Sequence, residues 1–136
     1  MKVVCVGDAY ITDEMMYNGV KPYLSEDDSI EVFFFGDSDK TVMRDVAKSI
    51  ENGNRDAFAI PEGLSEAVKD AELLIVHLCP VTRSLIEAAR QLKAIMSCRG
   101  GLENIDVPAA TDHKVLVSNN PAHNANAVAE YTIGLI

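Results

Sequence analysis

Six short apolar runs recur along the chain, at residues 3–6, 32–35, 57–60, 73–78, 94–98 and 115–118. They are nearly continuous in Val, Ile, Leu, Phe and Ala, where a strand wet on one side would show a polar residue at every second position. Such runs predict strands covered on both faces, so helices must lie above and below a sheet. Helical periodicity fills the gaps. In residues 40–52, Val42, Val46 and Ile50 fall four apart with Met43 and Ala47 beside them, and Gly53 supplies a stop. In residues 84–92, Leu85, Ile86, Ala89 and Leu92 form one stripe, and Ser84 with Glu87 three positions on fits a capping box. Further helices are expected at 12–20 ahead of Pro22, at 64–70, at 107–112 behind an Asp106 cap, and from Asn124 onward. Strict strand and helix alternation with right-handed crossovers predicts a doubly wound α/β parallel sheet of about five strands, in flavodoxin-like order.

Length and charge narrow the possible roles. A chain of 136 residues holds about one domain. A formal charge of −9 gives no clustered positive surface, so nucleic acid is excluded as a partner. No apolar stretch approaches the roughly 20 residues a bilayer span needs, and the first run ends too soon at Gly7 and Asp8 for a secretory signal. No membrane association and a cytoplasmic setting are therefore expected. Cys5, Cys79 and Cys98 are odd in number and lack CxxC spacing, which favours reduced thiols over disulfides or a structural metal.

Ligands of open α/β sheets sit beyond the carboxyl ends of the strands. After the first run, Gly7-Asp8-Ala9-Tyr10-Ile11-Thr12 lacks the GxGxxG of a dinucleotide turn, and Asp8 would repel a phosphate. A phosphoryl-accepting receiver domain would need further acidic residues and a Lys that the later strand ends do not offer. The segment His77-Leu78-Cys79-Pro80 places a Cys near a His, but no carboxylate is positioned to orient the pair, and a hydrogen-bonded role is the default for His77, His113 and His123. The segment Arg99-Gly100-Gly101 is more informative. Two adjacent glycines can turn backbone N–H groups into one concavity that favours a carboxylate, although a plain tight turn would use them equally well.

From Ala71 onward the residues resemble the D-isomer-specific 2-hydroxyacid dehydrogenases, the phosphoglycerate dehydrogenase branch in particular. The resemblance is carried by Arg99-Gly100-Gly101-Leu102-Glu103-Asn104-Ile105-Asp106-Val107, Ala109-Ala110-Thr111, Val117-Ser118-Asn119-Asn120-Pro121, Asn124 and Val128-Ala129-Glu130. It implies hydride transfer between NAD or NADP and a 2-hydroxy or 2-oxo acid, with a catalytic Arg, Glu and His and a nucleotide-binding motif that have no counterpart in these 136 residues. It also implies that Leu78, Cys79, Arg99, Gly100 and Gly101 face the substrate and that Val128 lies near the nicotinamide. Arg99 could instead pair with Glu103 or Asp106. The chain departs from the family pattern in Arg99, where many members have a small residue, in a 78–80 loop one residue shorter than usual, and in lacking a Gly near His113 and Lys114 to end the preceding helix.

On this reading residues 1–123 form the substrate domain, and 124–136 begin a helix that crosses towards a Rossmann domain absent from the chain, which would be inactive as a fragment. The last helix is rich in apolar residues (Ala127, Val128, Tyr131, Ile133, Leu135, Ile136) and has no polar stop. A second copy is an expected partner for them, and a homo-oligomer is anticipated. The rival reading is a stand-alone α/β binding or dimerisation module derived from such an enzyme.

Overall fold

A computed structural model describes residues 1–122 and 124–136. Five parallel strands, β1 (Lys2–Gly7), β2 (Ser29–Phe34), β3 (Leu73–Val76), β4 (Ala94–Ser97) and β5 (Leu116–Ser118), form one sheet in the order β2-β1-β3-β4-β5. This is the expected flavodoxin-like order. The helices are α1 (Asp13–Val20), α2 (Lys40–Glu51), α3 (Leu64–Ala67), α4 (Arg83–Ala88), α5 (Val107–Asp112) and α6 (Ala125–Gly134). The run at 57–60 is no strand. Arg55–Ala57 form a 3₁₀ turn, and Phe58 and Ile60 pack half-buried against the core. Both edges of β1 are taken by β2 and β3, so this run finds no place beside that strand.

Pleating divides the core in two. Val4, Val6, Leu74, Val76 and Ile95 point to one face and meet Met43 and Ile50 of α2, Leu64 of α3, Leu85 and Ile86 of α4 and Ala109 and Ala110 of α5. Val3 and Cys5 point to the other face and meet Met16 of α1, with Leu73 and Ile75 packed alongside. Cover is thus unequal, since among the described residues α1 alone packs on the second face and leaves Met96 and Leu116 exposed.

The caps explain the helix bounds. Thr12, Asp39 and Asp106 each accept a backbone N–H in the first turn of α1, α2 and α5. In α4 the cap is Thr82, whose Oγ1 accepts from Leu85 N–H, and not Ser84; the helix begins two residues earlier than the Ser84/Glu87 pattern suggested. Helices α2 and α5 end in the same Schellman geometry. Asn54 and Gly53 N–H donate to Ser49 and Ile50 carbonyls after α2, and Val115 and Lys114 N–H donate to Ala110 and Thr111 after α5. Gly53 takes the left-handed position in the first (φ 91°), and Lys114 takes it in the second (φ 58°). The missing glycine is therefore replaced by a lysine in the same cap conformation. Among the described residues no helix is long and apolar enough to cross a membrane.

Candidate functional site

The strand order reverses between β1 and β3, and the chain segments leaving these two strands meet at their carboxyl ends. Register pairs Val6 with Val76, so the next residues, Gly7 and Asp8 on one side and His77 and Leu78 on the other, are brought together. Asp8 is fully buried. Its Oδ1 accepts Tyr10 N–H at 2.9 Å and Ile11 N–H at 3.2 Å, while its Oδ2 accepts Leu78 N–H at 3.0 Å and lies 2.8 Å from His77 Nδ1. Burial by itself would raise this carboxyl group. The His77 contact and the amides of Tyr10 and Ile11 outweigh it and hold Asp8 below the ordinary carboxylate range. An ionised carboxylate can only accept, so Nδ1 carries the proton and Nε2 is turned away from Asp8. The imidazole also meets the Tyr10 ring edge-on, with centroids 6.2 Å apart.

A polar hollow of about 350 Å³ opens beside this pair, lined by His77, Arg99, Gly100, Gly101, Glu103 and Asn124, with Glu51 at its rim. Its floor is the loop after β4, held from several sides. Arg99 N–H donates to Ser97 Oγ at 3.2 Å, Asn120 N–H donates to the Arg99 carbonyl at 2.9 Å, and Asn119 Nδ2 donates to the Gly100 carbonyl at 2.6 Å. Arg55 donates from Nη1 to the carbonyls of Glu103 and Ile105 and pairs with Asp106. Buried Asn104 sends its Nδ2 to the carbonyls of His77 and Cys79, at 3.1 and 3.0 Å, and so ties the loop to the end of β3. Among the described residues the N–H groups of Gly100 and Gly101 donate to no protein acceptor.

Arg99 pairs with Glu51 of α2, and with neither Glu103 nor Asp106. That pairing cancels much of its charge, yet its Nη1 is buried with no partner. Glu103 lies over Gly101, where a Cβ would come within 2.7 Å of its Cδ. A larger hollow of about 490 Å³ lies at the opposite strand ends, where Lys2 is engaged by Glu31 and Asp70.

Of the residues expected to face a substrate, the structure gathers Arg99, Gly100 and Gly101 in the hollow. It turns Leu78 and Cys79 into the core, 2% and 0% exposed, with Cys79 Sγ directed at the Pro80 carbonyl and its thiol pushed up by burial. Val128 lies half-exposed on α6, which buries none of its residues. His113 Nδ1 is engaged by the Ala109 carbonyl, and His123 lies outside the described residues. The Asp8–His77 pair was not expected from sequence. The signal that could have found it is the adjacency of β1 and β3 at the point where the strand order reverses.

Comparison with known proteins gives the family and the fold. A model of the family described as D-isomer specific 2-hydroxyacid dehydrogenase, catalytic domain, matches residues 31–133. A D-3-phosphoglycerate dehydrogenase of Methanocaldococcus jannaschii is 45% identical over 76 residues, 55% of this chain and 14% of the relative. The NAD⁺-bound 3-phosphoglycerate dehydrogenase of Entamoeba histolytica superposes with a TM-score of 0.64 at 25% identity, over 98% of this chain and 37% of the other. A D-lactate dehydrogenase of Aquifex aeolicus, solved with NAD and lactic acid, shares the fold at 21% identity (TM-score 0.61, 97% of this chain and 32% of the other). The chain thus spans well under half of each of these proteins.

Proposed function

The chain belongs to the D-isomer specific 2-hydroxyacid dehydrogenase family, and on that premise we propose that it supplies the substrate side of an enzyme moving a hydride between C2 of a D-2-hydroxy acid and a nicotinamide. The reading rests on one observation above all. Gly100 and Gly101 present two successive N–H groups without protein acceptors at the carboxyl end of β4, in a polar hollow that Arg99 also lines. Adjacent amides of this kind receive a carboxylate. With the carboxylate anchored there, C2 is fixed relative to the strand ends, which is the orienting part of catalysis.

The residues of this chain do not fit a dinucleotide. The turn after β1 is closed, since a Cβ at Gly7 would lie 2.7 Å from Asp13 N and Ile11 O, and α1 opens with Asp13 and Glu14, which oppose a pyrophosphate. NAD or NADP would therefore be held by other residues of an intact polypeptide, along with the base that takes the hydroxyl proton. His113 is engaged by a helix carbonyl through Nδ1. As it stands, the 136-residue chain is expected to be inactive. The second reading, a binding module, draws on the exposed Val128, Tyr131, Ile133 and Leu135 of α6, which a second copy could cover; a monomer by light scattering would count against it.

Fluorescence titration of the 136-residue chain with NADH tests the division of labour. No saturation up to millimolar cofactor is expected, whereas the intact polypeptide should oxidise NADH when given a 2-oxo acid. Saturable micromolar binding to the chain alone would contradict the reading.

A further inference from the structure

We propose that α6 of one copy packs on the bare part of the sheet in a second copy, which returns the same contact and closes a two-fold dimer. The inference rests on the reading that a second copy covers α6, and it names the surface that receives the helix.

The sheet supplies the first observation. Register sets Val3, Leu73, Ala94 and Leu116 in one row across four strands, and Cys5, Ile75 and Met96 in the next. Both rows lie on the face where α1 packs, and α1 packs chiefly on β1 and β2. Exposure therefore climbs across the sheet, from none at Val3 to 43% at Met96 and 66% at Leu116. Parallel sheets are covered by helices on both faces, so this strip lacks its layer. Its shape fits one helix. From β3 to β5 it spans two strand spacings, about 10 Å, which is the width of a helix. Strands β3 and β4, of four residues each, run ~13 Å beside the ~15 Å of the ten residues in α6. Between the strip and α1 lies a groove of about 330 Å³, lined by Val3, Val20, Leu24, Leu73, Ile75 and Met96 and by no charged side chain.

The helix supplies the second observation. α6 buries none of its residues. Val128, Tyr131 and the C-cap Leu135 fall at i, i+3 and i+7, one apolar stripe that stands 54–70% exposed. Glu130, the single charged residue of α6, lies off that stripe. Within one copy the stripe and the strip stay apart. The chain leaves the carboxyl ends of the strands, held there by Asn119 Nδ2 on the Gly100 carbonyl and by Asn120 N–H on the Arg99 carbonyl, and α6 stands clear of the sheet.

Size decides between one contact and two. The exposed parts of Val128, Tyr131 and Leu135 amount to roughly 250 Å² of apolar surface, and the strip loses a like amount beneath them, so each contact buries about 500 Å². One contact falls short of the ~1,000 Å² that a specific interface needs, and two reciprocal contacts reach it. Exchange of α6 about a two-fold axis supplies both and leaves no free surface on which further copies would add. An interface at that lower limit is weak, so dissociation in the micromolar range is expected.

The test is sedimentation equilibrium of the 136-residue chain from micromolar to millimolar concentration, repeated on Met96→Glu in the sheet and Tyr131→Glu in α6. Both positions are exposed, so the fold should survive, and circular dichroism checks that it does. The expected result is a monomer–dimer equilibrium that each variant weakens about tenfold or more, since each would bury a charge against an apolar surface. In a mixture of isotope-labelled and unlabelled chains, nuclear Overhauser effects should join the Met96 methyl of one copy to the Val128 and Leu135 methyls of the other. A dimer that Tyr131→Glu abolishes and Met96→Glu leaves unchanged, with Val128 methyls in contact across the two copies, would overturn the proposal and leave a second copy as the cover of α6. A dimer that neither variant weakens would overturn it as well. A monomer at every concentration would overturn both the proposal and the reading beneath it, and hydrogen-exchange protection of α6 in that monomer would show the helix docked on its own sheet.

Discussion

Replacing Asp8 tests how much of the fold hangs on a single buried carboxylate. In Asp8→Ala four donors lose their acceptor at once: the N–H groups of Tyr10, Ile11 and Leu78, and Nδ1 of His77. Leu78 N–H is enclosed and finds no water, so it costs ~1–3 kcal/mol, and His77 loses a hydrogen bond to a charged group of similar worth. Tyr10 and Ile11 are partly reached by solvent and add less. The sum is about 3–5 kcal/mol, in keeping with the loss of one member of a buried charged pair. That is a large share of the ~5–15 kcal/mol that holds a domain of this size together. Asp8→Asn should fall between, because its carbonyl still serves Tyr10 and Ile11, and its amide can face an imidazole that has moved its proton, leaving Leu78 N–H unpaired. The pH dependence has a definite sign. Folding holds the Asp8 carboxyl below its unfolded value near 4, so the wild type's advantage over Asp8→Asn is full above that pH and shrinks as pH falls through the lower, folded value. Urea unfolding followed by circular dichroism at pH 7 and at pH 3 measures both quantities. A loss under 1 kcal/mol for Asp8→Ala at pH 7, or an advantage over Asp8→Asn that is unchanged at pH 3, would refute the reasoning.

Other parts of the account make separate predictions. Lys114→Gly should raise stability by about 0.5–1 kcal/mol in the same urea assay, because it relieves a side chain at φ 58° in the Schellman position that Gly53 fills after α2. With a thiol reagent at pH 8, Cys98 should react first. Cys5 and Cys79 should stay protected until the domain unfolds, since both are buried and burial pushes the Cys5 thiol up to about 12. Asn104→Ala should cost about 2 kcal/mol and also broaden the His77 and Gly101 amide signals, because its Nδ2 ties the end of β3 to the loop after β4.

The architecture was legible because its signals are local and repeated. Continuous apolar runs marked β1 to β5, the 3.6-residue periodicity marked α2 and α4, and the Asp106 cap marked α5. The same reasoning over-read residues 57–60, where composition favours a strand but the chain forms a 3₁₀ turn and packs Phe58 and Ile60 against the core. It also misplaced the cap of α4 by two residues, because Thr82 and Ser84 are equally good capping residues and only the backbone decides between them. At the Arg99–Gly101 loop the glycines marked a turn, and the family resemblance pointed to a ligand there. The partner of Arg99 was not, for Glu51 lies 48 residues earlier on a helix whose packing no local pattern reveals. Leu78 and Cys79 were expected to face the substrate on the strength of the family resemblance. Beyond the end of β3, His77 lines the hollow while Leu78 and Cys79 enter the core. Asp8 and His77 are 69 residues apart and only the strand order joins them.

The central claim, that the amides of Gly100 and Gly101 hold the substrate's carboxylate, is tested most directly by steady-state kinetics of Gly101→Val in the intact polypeptide. The backbone at Gly101 does not require glycine, and the atoms nearest an added Cβ belong to the exposed carboxylate of Glu103, which can move aside, so the fold should survive. The isopropyl group would nevertheless cover the two N–H groups. The account predicts a KM for the 2-hydroxy acid raised about tenfold or more, equivalent to ~1.4 kcal/mol, with the KM for the nicotinamide cofactor unchanged. An unaltered KM for the hydroxy acid would contradict it.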